Sequence, residues 1–240
     1  GYADNPDFNG ADQAGVGYYQ FTQKDGCRWS AADAYLHPVI ERENLSVITE
    51  ARVSDIVLQG KRAAGLRYLD KKNNSHTLSA NREVILCGGA FNSPQVLLLS
   101  GIGPEAELKN HGIPVQHVLP GVGENLQEHV DSIVVNRSLK RGPISLHPRE
   151  IPNNFKQLWL YLTRKEGMLA STNVEAGGFL KSSATEATPD MQWVFVPAIM
   201  DDHGRNRWVM YRYGYSAHVC LLRPKSRGTV TLHDSNPASD

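Results

Sequence analysis

The stretch richest in residue types that could do chemistry is 87–103, CGGAFNSPQVLLLSGIG. Just before it, residues 83–86 (EVIL) read as a short buried strand. Gly88 and Gly89 then read as a turn. Asn92 or Ser93 suits an N-cap, and Pro94 suits the first helical position, where a missing N–H costs nothing. Val96, Leu97, Leu98 and Leu99 supply an apolar face, and Gly101 fits a left-handed helix end. Strand, glycine turn and helix place unpaired backbone N–H groups beside a strand end, where nucleotides bind. The same arrangement also serves as plain connectivity, so its geometry alone leaves both readings open.

Other candidates are thinner. Glu128 beside His129 could do acid–base work, or His129 could pin its loop by hydrogen bonds. Asp201, Asp202 and His203 contain metal-ligating types, but adjacent residues on a strand or turn point apart, and no H-x-x-x-H or C-x-x-C accompanies them. Residues 214–218 (GYSAH) imitate a nucleophile elbow, yet there is no G-x-S-x-G and the segment reads as a strand. A dinucleotide-binding G-x-G-x-x-G is absent: Gly15-Val16-Gly17, Gly101-Ile102-Gly103 and Gly121-Val122-Gly123 each lack the third glycine.

These residues need elements to position them. Residues 45–49 and 52–58 alternate like strands, and 59–62 read as a turn into a return strand at 64–69. In the second strand Val53 is in phase with Asp55 and Val57. Ser30 can cap a short helix through Leu36, with Pro38 near its end. Tyr18, Tyr19 and Trp29 read as core. Residues 105–111 suit a helix closed by Gly112, and 114–120 are extended. Beyond Asp131 the character changes. Strands are expected at 132–136, 176–181, 191–197, 216–222 and 228–232. Phe155, Leu158, Trp159 and Leu162 mark an amphipathic helix over 154–163. The fold class is α+β, with a mainly antiparallel sheet in the second half.

Composition narrows the field. At 240 residues the chain holds one large domain or two small ones. Twenty-five Lys and Arg balance 25 Asp and Glu, so charge gives no support for nucleic acid. No apolar run approaches a membrane span, and the chain opens on polar residues without a signal peptide. Cys27, Cys87 and Cys220 are odd in number and far apart, which suits buried thiols in a reducing compartment. The expected location is cytoplasmic, with peripheral attachment to a membrane left open.

A resemblance sharpens these readings. GGAFNSPQVLLLSGIGP at 88–104 resembles the second signature of the glucose–methanol–choline (GMC) family of flavoprotein oxidoreductases. GVGENLQEH at 121–129 is similar to that family's GVGxNLxDH, with Glu128 where Asp is usual. The first 40 residues, TNVEAGGF at 172–179 and LRPKSRGTV at 222–230 resemble further family segments. Together with the run 201–205 they look closest to the choline dehydrogenase and aliphatic alcohol dehydrogenase branch. The resemblance implies FAD as cofactor, a primary alcohol such as choline or an alkanol as substrate, and an electron acceptor. It implies flavin contacts at Val53 (through its backbone, beside the adenine), Gly88, Gly89, Asn92, Ser93 and Asn125. Glu175 becomes a candidate carboxylate for a cationic substrate. Family members are considerably longer, with a pyrophosphate loop and a catalytic His outside these residues, so the chain reads as an internal fragment. No residue here is assigned as the catalytic base, and no metal site is expected. Residues 1–130 are expected to be part of the FAD-binding domain, and 131–240 part of a substrate domain.

Overall fold

The computed structural model describes residues 1–141, 144–172, 174–200 and 205–239. In chain order its strands are β1 (Gly15–Tyr18), β2 (Gln23–Lys24), β3 (Cys27–Arg28), β4 (Arg52–Gln59), β5 (Arg62–Leu69), β6 (Ser75–Ser79), β7 (Ile102–Gly103), β8 (His117–Val118), β9 (Val130–Arg137), β10 (Ala176–Leu180), β11 (Met191–Val196) and β12 (Gly214–Leu221). The α-helices are α1 (Gly89–Leu99), α2 (Glu105–Asn110) and α3 (Ile151–Arg164). Helices and strands are mixed and the pairing is mainly antiparallel, as the sequence predicts.

The chain divides into two compact units. One comprises Gly1–Arg42 and His129–Pro224; the other comprises Glu43–Glu128 and Lys225–Asp240. The sequence places a change of character near Asp131. The first 42 residues nonetheless join the later sheet, because β1 hydrogen-bonds along β10 from Gly15↔Phe179 to Tyr18↔Ala176.

In the first unit the strands run in the order β1-β10-β11-β12-β9. Period-2 alternation decides which face is buried. Phe179 stacks edge-on against Phe8, and Tyr19 packs against both rings. Val196 and Ser216 are fully enclosed. The Ser216 hydroxyl accepts the Met200 N–H at 2.8 Å and donates to the Ala198 carbonyl at 3.1 Å, so the chain leaving β11 folds back over the sheet. Ser30 caps its short helix as expected. The Asp33 N–H donates to Ser30 Oγ, and the Ser30 N–H donates to Asp33 Oδ2, a reciprocal cap. The helix itself is one π-type turn, Ala32–Leu36, running into a 3-10 turn that contains Pro38. Tyr18 and Trp29 depart from their expected core role. Tyr18 lies exposed on edge strand β1, and Trp29 is partly exposed beneath the Lys24 ammonium.

In the second unit β4, β5 and β6 form an antiparallel meander. The core packs Leu98 of α1 and Leu108 of α2 against Val122 and Leu232. Three expected strands are not formed. Residues 83–86 and 45–49 form no strand pairing among the described residues, with Ile85, Val47 and Ile48 exposed. Short apolar runs become strands only if a neighbour accepts their hydrogen bonds, and these two pair with no strand among the described residues. Residues 228–232 make a single bridge, Gly228 with Leu126. The Val230 N–H then goes to the Gly123 carbonyl and the Leu232 N–H to the Glu107 carboxylate. Loop and side-chain acceptors have replaced the ladder.

Helix α1 also begins earlier than the sequence suggests. Gly89, at φ 80°, opens it, and Pro94 lies inside rather than in the first position. Neither Asn92 nor Ser93 is the N-cap; Gly88 is. Pro94 is the sixth helical residue, past the four N–H groups that lack partners, so it removes one intrahelical bond from α1.

The turn at 121–125 relies on one glycine contact. Gly123 has φ 83°, and a Cβ there would lie 2.2 Å from the Val230 carbonyl oxygen. Gly112, at φ 65° after α2, has open space around it. Gly123→Ala should therefore lower stability by roughly 2–3 kcal/mol, and Gly112→Ala by about 1 kcal/mol. Urea unfolding followed by circular dichroism would measure both. Equal losses would mean that the Val230 contact is not what fixes this turn.

Candidate functional site

In the second unit a cleft of about 850 Å³ opens between β4, residues 85–88, the start of α1 and the C-terminal segment 230–239. Val53, Gly88, Asn92 and Ser93 all border it, so four of the residues expected to meet a nucleotide meet here. Gly89 sits at the same turn. Its requirement is conformational, since a Cβ there would touch nothing.

Val53 is brought to the cleft by a bulge. It pairs with Tyr68 and Asp55 pairs with Arg67, leaving Ser54 as the extra residue. Bulges bend a strand and re-aim its backbone. Ser54 and Ile56 face inward, so Val53 stays in phase with Asp55 and Val57 on the other side. Asp55 is held by the Arg67 guanidinium, whose Nε donates at 2.9 Å.

Ser93 shapes the other wall. Its hydroxyl accepts the Gly88 N–H at 3.0 Å and closes the turn from inside the helix. No acidic residue occupies the first turn of α1. The helix N-terminus therefore keeps its partial positive charge for an anion. Arg52, on the β4 wall beside Val53, adds a full positive charge. Sequence reasoning missed Arg52, which carries no signal beyond adjacency to Val53.

Asn125 borders a second opening of about 560 Å³, shared with Ser93, Pro94 and Gly123. It adopts φ 63°, a left-handed conformation that Asn tolerates better than most residues. Ser93 lines both openings, which makes the first turns of α1 the wall common to all these residues.

Glu175 belongs to the first unit. It is exposed, and its backbone carbonyl accepts the Tyr19 N–H at 2.9 Å where β1 meets β10. Beside it, Ala176 and Gly177 border an apolar groove of about 490 Å³ with Tyr18, Trp193 and Phe195. The groove follows from register. Trp193 lies opposite Gly178 and Val219, and Phe195 lies opposite Ala176 and Ala217, so large rings stand beside small neighbours. Trp193 and Phe195 alternate along β11, a signal present in MQWVFV that sequence reasoning used only to place a strand.

His129 and Glu128 are exposed, and His129 makes no side-chain hydrogen bond among the described residues. Neither acid–base chemistry nor loop pinning gains a geometry there. Asp201, Asp202 and His203 lie outside the described residues, among which no cluster of three metal-ligating side chains occurs. The imitation elbow at 214–218 is strand β12. His218 is buried on it, with Nδ1 2.9 Å from Asp131 Oδ2 and Nε2 enclosed without a partner. Cys220 donates its thiol to the other Asp131 oxygen at 3.4 Å. Burial pushes that thiol's pKa up, and the neighbouring carboxylate adds to the effect.

The sequence profile of GMC oxidoreductases matches residues 1–131. The chain is 45% identical over 237 residues to an alcohol dehydrogenase [acceptor] of Pseudomonas putida, covering 98% of this chain and 43% of that protein. It is 42% identical over 240 residues to the mitochondrial choline dehydrogenase of Homo sapiens, covering 99% and 39%. The chain thus spans about two fifths of the length of the curated relatives it matches. Among solved structures, an FAD-dependent oxidoreductase from Chaetomium thermophilum superposes with a TM-score of 0.75 at 26% identity, over 98% of this chain and 46% of that one. A formate oxidase of Aspergillus oryzae RIB40 superposes at 0.80 with 23% identity, over 99% and 45%, and supports the fold. With more than half of its residues matched by the family profile, the chain belongs to the GMC oxidoreductase family.

Proposed function

We propose that this chain supplies part of an FAD-dependent alcohol dehydrogenase that oxidises a primary alcohol, choline or an aliphatic alkanol, to its aldehyde. The observation that carries the reading is the cleft in which Val53, Gly88, Asn92 and Ser93 meet at the start of α1. Its volume suits a large cofactor fragment. Its chemistry suits the adenosine side of FAD: a re-aimed backbone at Val53, a helix N-terminus free of acids, and the Arg52 guanidinium. Flavin binding is accordingly assigned to the unit with Glu43–Glu128 and Lys225–Asp240, within which most of the resemblance-derived contacts fall. Substrate binding is assigned to the sheet unit.

When bound, FAD supplies an acceptor for the hydride that leaves the alcohol carbon. The chain's own residues hold and orient. Positive charge at α1 and Arg52 retains the anionic part of the cofactor. Trp193 and Phe195 shed water from the apolar part of an alcohol. Glu175 offers a carboxylate to a trimethylammonium group, a cation that aromatic faces also attract. None of the nine histidines is assigned as the base, which is expected outside these residues. An electron acceptor completes turnover. A cytoplasmic location with peripheral attachment to a membrane is part of the same reading.

Cys87 allows a direct test, because it is exposed and borders the cleft, whereas Cys27 lies in the other unit. Saturating FAD should slow alkylation of Cys87 at least about fivefold and leave Cys27 unchanged, as expected when a ligand covers a thiol that borders its site. Mass spectrometry of the labelled peptides reads both rates. Unchanged labelling of Cys87 would favour a noncatalytic module that binds no flavin.

The role of Glu175 is testable in the flavin-loaded full-length enzyme. Glu175→Gln keeps the size and removes the charge. KM for choline should rise about tenfold or more, with little change for a neutral alkanol of similar length. Equal effects on both alcohols would return Glu175 to a structural role at the start of β10.

A further inference from the structure

Helix α3 is turned inside out. Its polar residues face the body: the Asn154 amide donates to the Ser145 carbonyl at 3.1 Å, and Gln157 accepts the Met168 N–H at 3.0 Å. Leu160 and Tyr161 are half-buried beside them, while the remaining apolar residues face solvent. Ile151, Phe155, Leu158, Trp159 and Leu162 are 52, 67, 41, 54 and 64% exposed. Their spacing of four, three, one and three puts them on one stripe. A stripe that a helix normally buries is here without a partner among the described residues.

Charge says what chemistry would cover it. The helix carries Lys156 and Arg164 and no carboxylate. Lys165 follows at its left-handed end, and Arg164 lies 5.5 Å from the Trp159 ring centroid. The β2–β3 hairpin abuts the same end, since a Cβ on Gly26 would strike the Lys165 carbonyl. The hairpin adds Lys24 and Arg28, with Lys24 over the partly exposed Trp29 ring. Asp25 and Glu166 are the carboxylates along these two segments, so the cations Lys24, Arg28, Lys156, Arg164 and Lys165 outnumber them. Two tryptophans paired with cations at the end of an apolar stripe match the composition of a helix that lies in a lipid headgroup layer. At 14 residues, about 21 Å by its rise, α3 is too short to span a bilayer and suited to lie along one. Two copies meeting stripe to stripe would oppose like charges with no acid on either helix to pair them.

We propose that α3, with the tip of the β2–β3 hairpin, docks on an anionic phospholipid surface. The proposal deepens the peripheral attachment stated above and is independent of the flavin reading. Phe155, Trp159 and Leu162 enter the acyl boundary, while Lys24, Arg28, Arg164 and Lys165 meet the headgroups.

The test uses the purified full-length protein with phosphatidylcholine vesicles, alone or containing about one third phosphatidylserine. The protein should co-sediment with the anionic vesicles, release as salt is raised, and show a blue shift of tryptophan emission that Trp159→Phe removes. Phe155→Glu combined with Leu162→Glu should lower partition at least about tenfold with far-ultraviolet circular dichroism unchanged. Arg164→Gln with Lys165→Gln leaves the stripe intact and should weaken binding severalfold on anionic vesicles only; it serves if the first variant fails to fold. Binding to anionic vesicles that neither variant alters would overturn the assignment to α3 while keeping peripheral attachment. No binding at all would overturn both. Equal binding to neutral vesicles, or a dimer that Phe155→Glu dissociates, would replace the anionic surface with another occupant.

Discussion

The Ser100 hydroxyl holds the proposed flavin cleft in shape. Buried at the end of α1, it accepts the Ile56 N–H of β4 at 2.7 Å and donates to the Val96 carbonyl of its own helix. One side chain thus ties the strand that carries Val53 to the helix that carries Asn92 and Ser93. Without it a buried N–H would lose its partner, at a cost on the order of 1–3 kcal/mol. Leu98 and Leu108 pack behind the same junction. The helix cannot slide along the strand without breaking both the hydrogen bond and the packing, so the cleft is built before a ligand arrives.

Much of this was legible in the residues, for reasons that differ by element. β4 and β5 announced themselves through alternation around Gly60, and β9 and β11 through runs of β-branched and aromatic residues. α2 ended at Gly112 as its turn chemistry requires. Residues 83–86 carried the same apolar signal but pair with no strand among the described residues, because pairing is a tertiary fact. The bulge at Ser54 was invisible, although it is what brings the Val53 backbone to the cleft. Pro94 pointed to a helix start that Gly89 had already supplied. The cluster at Val53, Gly88, Asn92 and Ser93 came from resemblance rather than periodicity; alternation alone makes Val53 an ordinary strand residue.

The largest surprises concern which way apolar faces point. Period-3.6 spacing identified α3 correctly as an amphipathic helix, and period-2 spacing identified β11 as a strand. Neither pattern says whether its apolar face meets the protein's own core. In α3 that face meets solvent, because Asn154 and Gln157 hold the polar side against the body. On β11, Trp193 and Phe195 line a groove, with Gly178 and Val219 beside the first and Ala176 and Ala217 beside the second. Both surfaces become readable only once the partners across each element are known.

Hydrogen–deuterium exchange with and without FAD tests the central assignment most directly, because it reports every backbone amide near the cleft at once. FAD should slow exchange at residues 52–56 and 88–96 and leave β9 to β12 unchanged. Slowing confined to β9 to β12, or no slowing in either segment under saturating FAD, would contradict the assignment of the cleft to the flavin.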